Sequence, residues 1–167
     1  MGIEILKQEM FTEQDKHGLQ KAITLAQYAR SIGEIPVGAV LVKQNEIIGE
    51  GYNCPIKEND STAHAEIIAI RAASKRLTNY RLSDTTLYVT LEPCLMCVGA
   101  IVHARIKRVV FGAFDLKAGA VVSQIQVFKF PFLNHKASFQ GGLLADECGE
   151  LLSSFFKERR NAKGISC

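Results

Sequence analysis

Two short segments of the chain combine residue types that can hold a metal ion and move protons. His64 and Glu66 lie two positions apart, and Pro93 precedes a Cys-x-x-Cys pair formed by Cys94 and Cys97. One imidazole and two thiolates are zinc ligands, and a zinc ion with three protein ligands keeps a coordination position open for water. The carboxylate of Glu66 is a candidate general acid and base beside that position. The spacing therefore predicts a catalytic rather than a structural zinc site.

The cysteine pair by itself has other interpretations. Half of a four-cysteine zinc knuckle needs a second pair, and the remaining cysteines form none: Cys54, Cys148 and Cys167. A redox-active Cys-x-x-Cys stays open as an alternative. A helix is predicted over residues 93–104, and the dipole and free N–H groups at its start favour anionic sulfur. Since residues three apart share a helix face, both sulfurs can bind one ion.

The positions of His64 and Glu66 set a geometric condition. Residues two apart within a regular helix point to nearly opposite sides, so both reach one site only if His64 lies at or just before the helix start. A helix is predicted over residues 65–76, and Thr62 is a residue type that caps helices. Taken separately, the two residues fit an ordinary cap histidine and a first-turn acid. The other histidines lack metal-ligand spacing: His17, His103 and His135.

Apolar periodicity predicts the elements that position these residues. Helices are expected over residues 15–32, 65–76 and 93–104 and at the C-terminus around residues 144–155, and strands over residues 37–43, 46–52, 86–91, 108–112 and 137–142. Residues 53–62 are a predicted loop, and residues 114–123 are predicted to form a loop or a broken helix. Strands that alternate with helices after an initial hairpin favour a mixed sheet with helices on both faces. We therefore predict a three-layer α/β/α sandwich of about five strands, with ligand sites at strand ends.

Composition restricts the class of protein. The chain has 167 residues, of which 47% are hydrophobic, which predicts a single domain over residues 1–167. We expect an extended N-terminus over residues 1–14 and a basic helix end over residues 155–167. The five cysteines are an odd number, and no signal peptide or membrane-spanning run is visible, so a reducing cytoplasm is expected. The net charge of +3 permits a nucleic-acid partner without requiring one.

The chain resembles the bacterial tRNA-specific adenosine deaminases, within the cytidine deaminase-like superfamily. The resemblance extends from about His17 to about Arg160. It rests on both metal-type motifs and on these segments: residues 36–40, 49–53, 62–66, 79–82, 87–94, 108–113, 144–148 and 155–156. His-x-Glu followed by Pro-Cys-x-x-Cys is the signature of zinc-dependent nucleobase deaminases.

The resemblance implies a hydrolytic deamination of adenosine to inosine at the wobble position of a tRNA anticodon loop. His64, Cys94 and Cys97 would hold one zinc ion that lowers the pKa of a water molecule. Glu66 would take a proton from that water, deliver it to N1 of adenine and then pass a proton to the departing amine. The family usually forms homodimers, so a homodimer and an anticodon stem-loop are the expected partners.

The resemblance also implies residues that contact the substrate. Asn53 would hydrogen-bond the flipped base, and the backbone at Ala65 would help to recognise its edge. Asp115 corresponds to an acidic residue that contacts the anticodon-loop backbone. The family commonly has a basic residue where this chain has Phe114. This departure affects an expected phosphate contact and leaves the zinc chemistry unchanged.

The C-terminal segment combines aromatic and basic residues, which suit a single-stranded RNA loop. By helical spacing Phe155 continues the apolar stripe and is predicted to pack in the core. Phe156 is therefore the candidate for stacking on a base, and Arg160 is a candidate phosphate contact. Two alternatives to this function stay open: a deaminase of a free base or nucleoside, and a non-catalytic, zinc-stabilised RNA-binding subunit.

Overall fold

The computed structural model describes residues 11–164, and the N-terminal residues 1–10 and the last residues 165–167 lie outside the described part. The predicted extended N-terminus therefore lies largely outside it. Helix α1, Glu13–Ser31, begins two residues earlier than predicted. Thr12 and Asp15 form a capping box, in which each side chain accepts a hydrogen bond from the other's backbone N–H, at 3.1 and 3.0 Å.

The observed elements follow the predicted order closely. The strands are β1 Gly38–Lys43, β2 Glu46–Tyr52, β3 Thr86–Leu91, β4 Arg108–Ala113 and β5 Ser138–Gly141. The remaining helices are α2 Pro55–Glu58, α3 Ala65–Leu77, α4 Leu95–His103 and α5 Ala145–Gly164, and a 3-10 turn covers Val127–Lys129. Helix α2 lies in a segment predicted as a loop. It is a single short turn that begins at a proline, a residue whose missing N–H costs nothing at a helix start.

The sheet has the strand order β2-β1-β3-β4-β5. Strand β1 pairs antiparallel with β2 and β3, whereas β3, β4 and β5 are parallel neighbours. The predicted mixed sheet of about five strands is thus confirmed. In a parallel sheet the carboxyl ends of the strands meet at one edge, so the residues after β3 and β4 are brought together there.

Successive residues of a strand point to opposite faces of the sheet. Both sets of residues are buried here because helices cover both faces. One face packs against α3 and α4 and includes Leu41, Leu87, Val89, Val109, Ala69, Ala73, Val98 and Ile101. The other packs against α1 and α5 and includes Val40, Tyr88, Val110, Leu19, Ala22, Ile23 and Cys148. The predicted three-layer sandwich is therefore the observed architecture. Within residues 11–164, no helix is both long and apolar enough to cross a membrane.

A close contact between β2 and the start of α3 fixes the position of that helix. A Cβ atom at Gly51 would lie 2.2 Å from the carbonyl oxygen of Ala65. Only glycine permits this approach of helix backbone to strand backbone. The N-terminus of α3 is thereby held directly against the sheet.

Candidate active site

Helix α3 begins with one predicted metal ligand. His64 is its N-cap residue, with extended backbone (φ −75°, ψ 153°) and no capping hydrogen bond from its side chain. The prediction that His64 lies just before the helix is confirmed, because the cap conformation turns its imidazole away from the helix. Thr62 is not the cap, and its hydroxyl donates to the Asp60 carboxylate at 2.7 Å instead.

Helix α4 also has a predicted metal ligand at its N-cap position. Cys94 is its N-cap residue, with φ −77° and ψ 173°, and Cys97 lies in the first turn. Pro93 therefore precedes the helix, which corrects the prediction that α4 starts at this proline. The reason is that the segment stays extended: the Pro93 carbonyl accepts from the Ala120 N–H at 2.9 Å, and Cys94 forms a β-bridge with Gly119.

The two helix starts bring three metal-type ligands together. The Nδ1 atom of His64 lies 3.6 Å from the sulfur of Cys94 and 3.6 Å from that of Cys97. Tetrahedral zinc with Zn–N near 2.0 Å and Zn–S near 2.3 Å places nitrogen and sulfur about 3.5 Å apart. All three ligand atoms lie within 4.8 Å of one another. The residues present therefore fit a zinc ion.

The electrostatics of the cluster favour a thiolate at the start of α4. The hydrogen bond from Cys97, together with that from His64, outweighs burial and lowers the pKa of Cys94 to about 4. The hydrogen bond to Cys94, opposed by burial, raises the pKa of His64. The hydrogen bond with Cys94 and burial raise the pKa of Cys97. A thiolate is the form of cysteine that binds metal.

Glu66 lies beside the cluster and is only 4% exposed. Burial is the largest influence on this carboxyl and raises its pKa to about 7. A carboxyl with a pKa near neutrality both accepts and donates a proton readily, as a general acid and base must.

The cluster opens into a cavity of about 590 Å³. His64, Glu66 and Cys94 are among the residues that line it. The other lining residues come from several elements: Ile35, Val37, Asn53, Leu91, Glu92, residues 113–118 after β4, and Gly149, Leu152, Ser153 and Phe156 of α5. A cavity of this size suits a small organic ligand or a single nucleoside.

Two of the predicted substrate-binding residues are hydrogen-bonded to each other. The side-chain oxygen of Asn53 accepts a hydrogen bond of 2.8 Å from the backbone N–H of Ala65. Asn53 is 7% exposed and lines the cavity, whereas Ala65 is fully buried. The base contact of Asn53 stays a prediction that this position supports. A contact from the Ala65 backbone also stays a prediction, and its N–H is already engaged.

Asp115 and Phe114 lie on the cavity wall after β4. One carboxylate oxygen of Asp115 accepts hydrogen bonds from the N–H groups of Lys117 and Ala118, at 3.0 and 3.1 Å. Phe114 packs edge-on against Phe111, with ring centroids 5.1 Å apart. The aromatic ring therefore extends the apolar part of the cavity wall.

The C-terminal aromatic residues have different environments. Phe155 is 5% exposed, which confirms its predicted place in the core, and Phe156 is 41% exposed and lines the cavity. Arg160 is exposed on the same helix and is not among the cavity-lining residues. The RNA contacts of Phe156 and Arg160 stay predictions.

Sequence reasoning missed several residues of the site. The clearest is Glu92, which is 1% exposed and lines the cavity next to the zinc-type ligands. An acidic residue directly after a buried strand was a usable signal, because burying a charge requires compensating partners. Gly149 and Leu152 of α5 also line the cavity, and no comparable signal in the sequence predicted this.

In this α/β/α sandwich the zinc-type ligands lie at the starts of two helices, beside a buried carboxylate. This arrangement is typical of enzymes that carry out zinc-assisted hydrolysis. Residues 12–113 match the family described as the cytidine and deoxycytidylate deaminase zinc-binding region, and the chain belongs to this family. Zinc is accordingly its cofactor.

One relative and two solved structures are similar to this chain over most of its length. The tRNA-specific adenosine deaminase of Haemophilus influenzae is 53% identical over 155 residues, which cover 92% of this chain and 90% of the relative. A structure from work on A-to-I editing by tRNA deaminases at the wobble position of transfer RNA has a TM-score of 0.80 and 43% identity, covering 81% of this chain and 99% of that one. The guanine deaminase of Bacillus subtilis has a TM-score of 0.60 and 38% identity, covering 87% and 93%. These relatives confirm the resemblance stated from the sequence.

Proposed function

We propose that this protein is a zinc-dependent enzyme that deaminates adenosine to inosine at the wobble position of a tRNA anticodon loop. The observation that carries the chemistry is the buried carboxyl of Glu66, which lines one cavity together with His64 and Cys94 and lies beside the group of His64, Cys94 and Cys97. The adenosine and tRNA specificity is supported by relatives that are named for this reaction.

The residues of the chain divide the reaction between them. His64, Cys94 and Cys97 would hold the zinc ion, which would supply a Lewis acid that lowers the pKa of a water molecule. Glu66 accepts a proton from this water and delivers it to N1 of the adenine ring. The water oxygen would bond to C6, and Glu66 would take the second proton from that oxygen and pass it to the amino group. The bond between C6 and that nitrogen then breaks, so that adenosine and water become inosine and ammonia. Its pKa of about 7 suits both directions of transfer.

Other residues hold the flipped nucleotide and the loop around it. Asn53 contacts the base from the cavity wall, next to the backbone of Ala65. Asp115 contacts the loop backbone, and Phe156 stacks on a base at the cavity mouth. Arg160, which lies further along α5, neutralises a phosphate of the RNA. A base must leave its stack to reach a buried site, and stacking on an aromatic ring offsets part of that cost.

The expected assembly is a homodimer in the cytoplasm that binds the tRNA anticodon stem-loop. Large apolar side chains that a second copy would bury are exposed near the site, including Leu95 and Leu116. Sedimentation at micromolar concentration tests this assembly, and a monomer would contradict it.

Activity on RNA is tested with a defined anticodon stem-loop. The zinc-loaded protein is incubated with an anticodon stem-loop that has adenosine at the wobble position, and inosine is detected as an A-to-G change on sequencing. A matched stem-loop with cytidine at that position is the control, because its deamination would be read as a C-to-T change instead. Total tRNA from cells with and without the protein provides the same measurement in vivo. Absence of inosine in both would contradict the proposal and favour a non-catalytic RNA-binding subunit.

A deaminase of a free base is the second candidate, because a guanine deaminase shares 38% identity with this chain. Release of ammonia from guanine, adenosine and cytosine is measured under the same conditions. Faster turnover of any of these than of the stem-loop would favour this second function.

A further inference from the structure

The carboxylate of Glu92 is buried at the carboxyl end of β3. Its backbone N–H donates to the carbonyl of Ala113 at the end of β4, at 2.8 Å. Cys94, one of the zinc-type ligands, follows two residues later. Burying a carboxylate is unfavourable unless its oxygens are fully hydrogen-bonded, so the partners of Glu92 require an explanation.

These partners all belong to the loop that follows β4. Oε1 accepts from three consecutive backbone N–H groups, those of Val121, Val122 and Ser123, at 3.2, 2.7 and 2.9 Å. Oε2 accepts from the N–H of Asp115 at 3.1 Å and from the hydroxyl of Ser123. Among residues 11–164, no salt bridge reaches Glu92. Backbone dipoles, rather than a cation, therefore balance its charge.

The same loop forms one wall of the substrate cavity. Residues 114–118 line the cavity, and Glu92 fixes the loop near its start at Asp115 and at its end over residues 121–123. The loop also passes very close to the carboxylate, since a Cβ atom at Gly119 would lie 2.4 Å from its Cδ. Glu92 is thus an anchor of this wall at both ends of the loop, in addition to the hydrogen bond between Ala120 and Pro93 and the bridge between Cys94 and Gly119.

We propose that Glu92 is a positioning residue that fixes the loop of residues 114–123 and thereby sets the affinity of the site for its RNA substrate. This inference rests on the proposed function, because the substrate that meets this wall is the anticodon loop. Glu92 does not touch the reacting atoms. It acts through Asp115 and the neighbouring residues of the loop.

Glu92→Gln is the sharpest test because it preserves shape. An amide has one oxygen and one NH₂ group, so one of the two acceptor positions becomes a donor that faces N–H donors. We expect KM for the stem-loop to rise about tenfold or more, in the range found for residues that orient a site. We expect kcat to change by less than about threefold, since the loop binds substrate equally before and during the reaction. Zinc content is expected to stay stoichiometric.

Two glycine variants provide an independent perturbation and its control. Gly119→Ala leaves Glu92 intact but places a methyl group against its carboxylate, so it should reproduce the rise in KM. Gly99→Ala adds a methyl group that meets no heavy atom within 4 Å apart from the backbone of its own helix, and it should leave KM unchanged. Ser123→Ala removes one donor and should give a smaller change in the same direction, which keeps the test valid if Glu92→Gln does not fold.

Hydrogen exchange separates this inference from the proposed function. The backbone N–H groups of residues 121–123 should lose protection in Glu92→Gln, while those of β3 keep theirs. This measurement needs no substrate, so it stands even if the protein does not deaminate RNA. Unchanged protection and KM in folded Glu92→Gln and Gly119→Ala, or a loss of zinc from either variant, would overturn the proposal.

Discussion

The side-chain oxygen of Asn53, which directly follows β2, accepts the first free backbone N–H of helix α3, that of Ala65, at 2.8 Å. Helices usually satisfy such groups with the side chain of the N-cap residue. Here the N-cap residue is His64, whose imidazole faces the sulfurs of Cys94 and Cys97. Asn53 therefore satisfies the N–H of the first helical residue, while His64, whose imidazole faces the sulfurs, forms no side-chain capping hydrogen bond.

Two substitutions separate capping by Asn53 from base binding. Asn53→Ala removes the acceptor and should destabilise the fold by about 1–2 kcal/mol, measured by urea unfolding. Asn53→Asp keeps an oxygen acceptor at a helix start that favours negative charge, so most of the stability should remain. It loses the NH₂ donor, however, and KM should rise. An Asn53→Asp variant with wild-type KM would exclude a base contact through that NH₂ group.

Replacement of Glu66 separates proton transfer from metal binding. Glu66→Ala should reduce kcat by at least about 10²-fold, the usual contribution of a general acid and base. The ligands His64, Cys94 and Cys97 are unchanged, so zinc should remain bound. Single-turnover kinetics and metal analysis of the same sample provide the test. Deamination near the wild-type rate would show that Glu66 is not the proton carrier.

Removal of one ligand tests the zinc site. Cys97→Ala should lose stoichiometric zinc and lower the Tm, because metal binding contributes to the stability of the folded state. A chelator should lower the Tm of the wild type but have little further effect on the variant. Cys148→Ala is the matched control, since Cys148 is buried at the other face of the sheet and should leave zinc bound. Full zinc occupancy in Cys97→Ala would be incompatible with this ligand set.

The adjacent phenylalanines of α5 should respond oppositely to alanine substitution. Phe155→Ala removes a buried ring and should cost about 3–5 kcal/mol of stability. Phe156→Ala should leave stability nearly unchanged but weaken RNA binding by about 1–3 kcal/mol, the value of one base–aromatic stack. Thermal unfolding and KM for the stem-loop measure the two effects. Equal KM values for Phe156→Ala and the wild type would remove Phe156 from the RNA contacts.

Acid should weaken the contact between α1 and the sheet. Burial would raise the pKa of Asp15, but hydrogen bonds from Arg108, Thr12 and Tyr88 lower it to about 2. An unfolded aspartate titrates near 3.9, so the interaction contributes about 2 kcal/mol above that pH. This contribution is lost as pH falls from about 4 to about 2. The stability difference between the wild type and Asp15→Asn should therefore shrink over this range, and a constant difference would contradict the assignment.

The sequence predicted those parts of the fold that depend on local periodicity. The apolar run of β3 and the helical spacing of α3 gave nearly the observed boundaries, and Phe155 was placed correctly in the core. Cap positions were less accurate: Thr62 does not cap α3, and Pro93 does not start α4. Caps depend on which backbone groups find partners elsewhere, such as the bond between Pro93 and Ala120, and these partners are distant in sequence.

The sequence by itself determined the chemistry of the site, because ligand types, their spacing and a nearby acid are properties of short segments. Only the tertiary structure decided how the site is held. The capping of α3 by Asn53, the enclosure of Glu92 by the loop after β4 and the wall contributed by α5 all join segments far apart in the chain. Such contacts form only when distant segments pack closely and every buried polar group finds a hydrogen-bond partner. No single segment of the sequence encodes this condition.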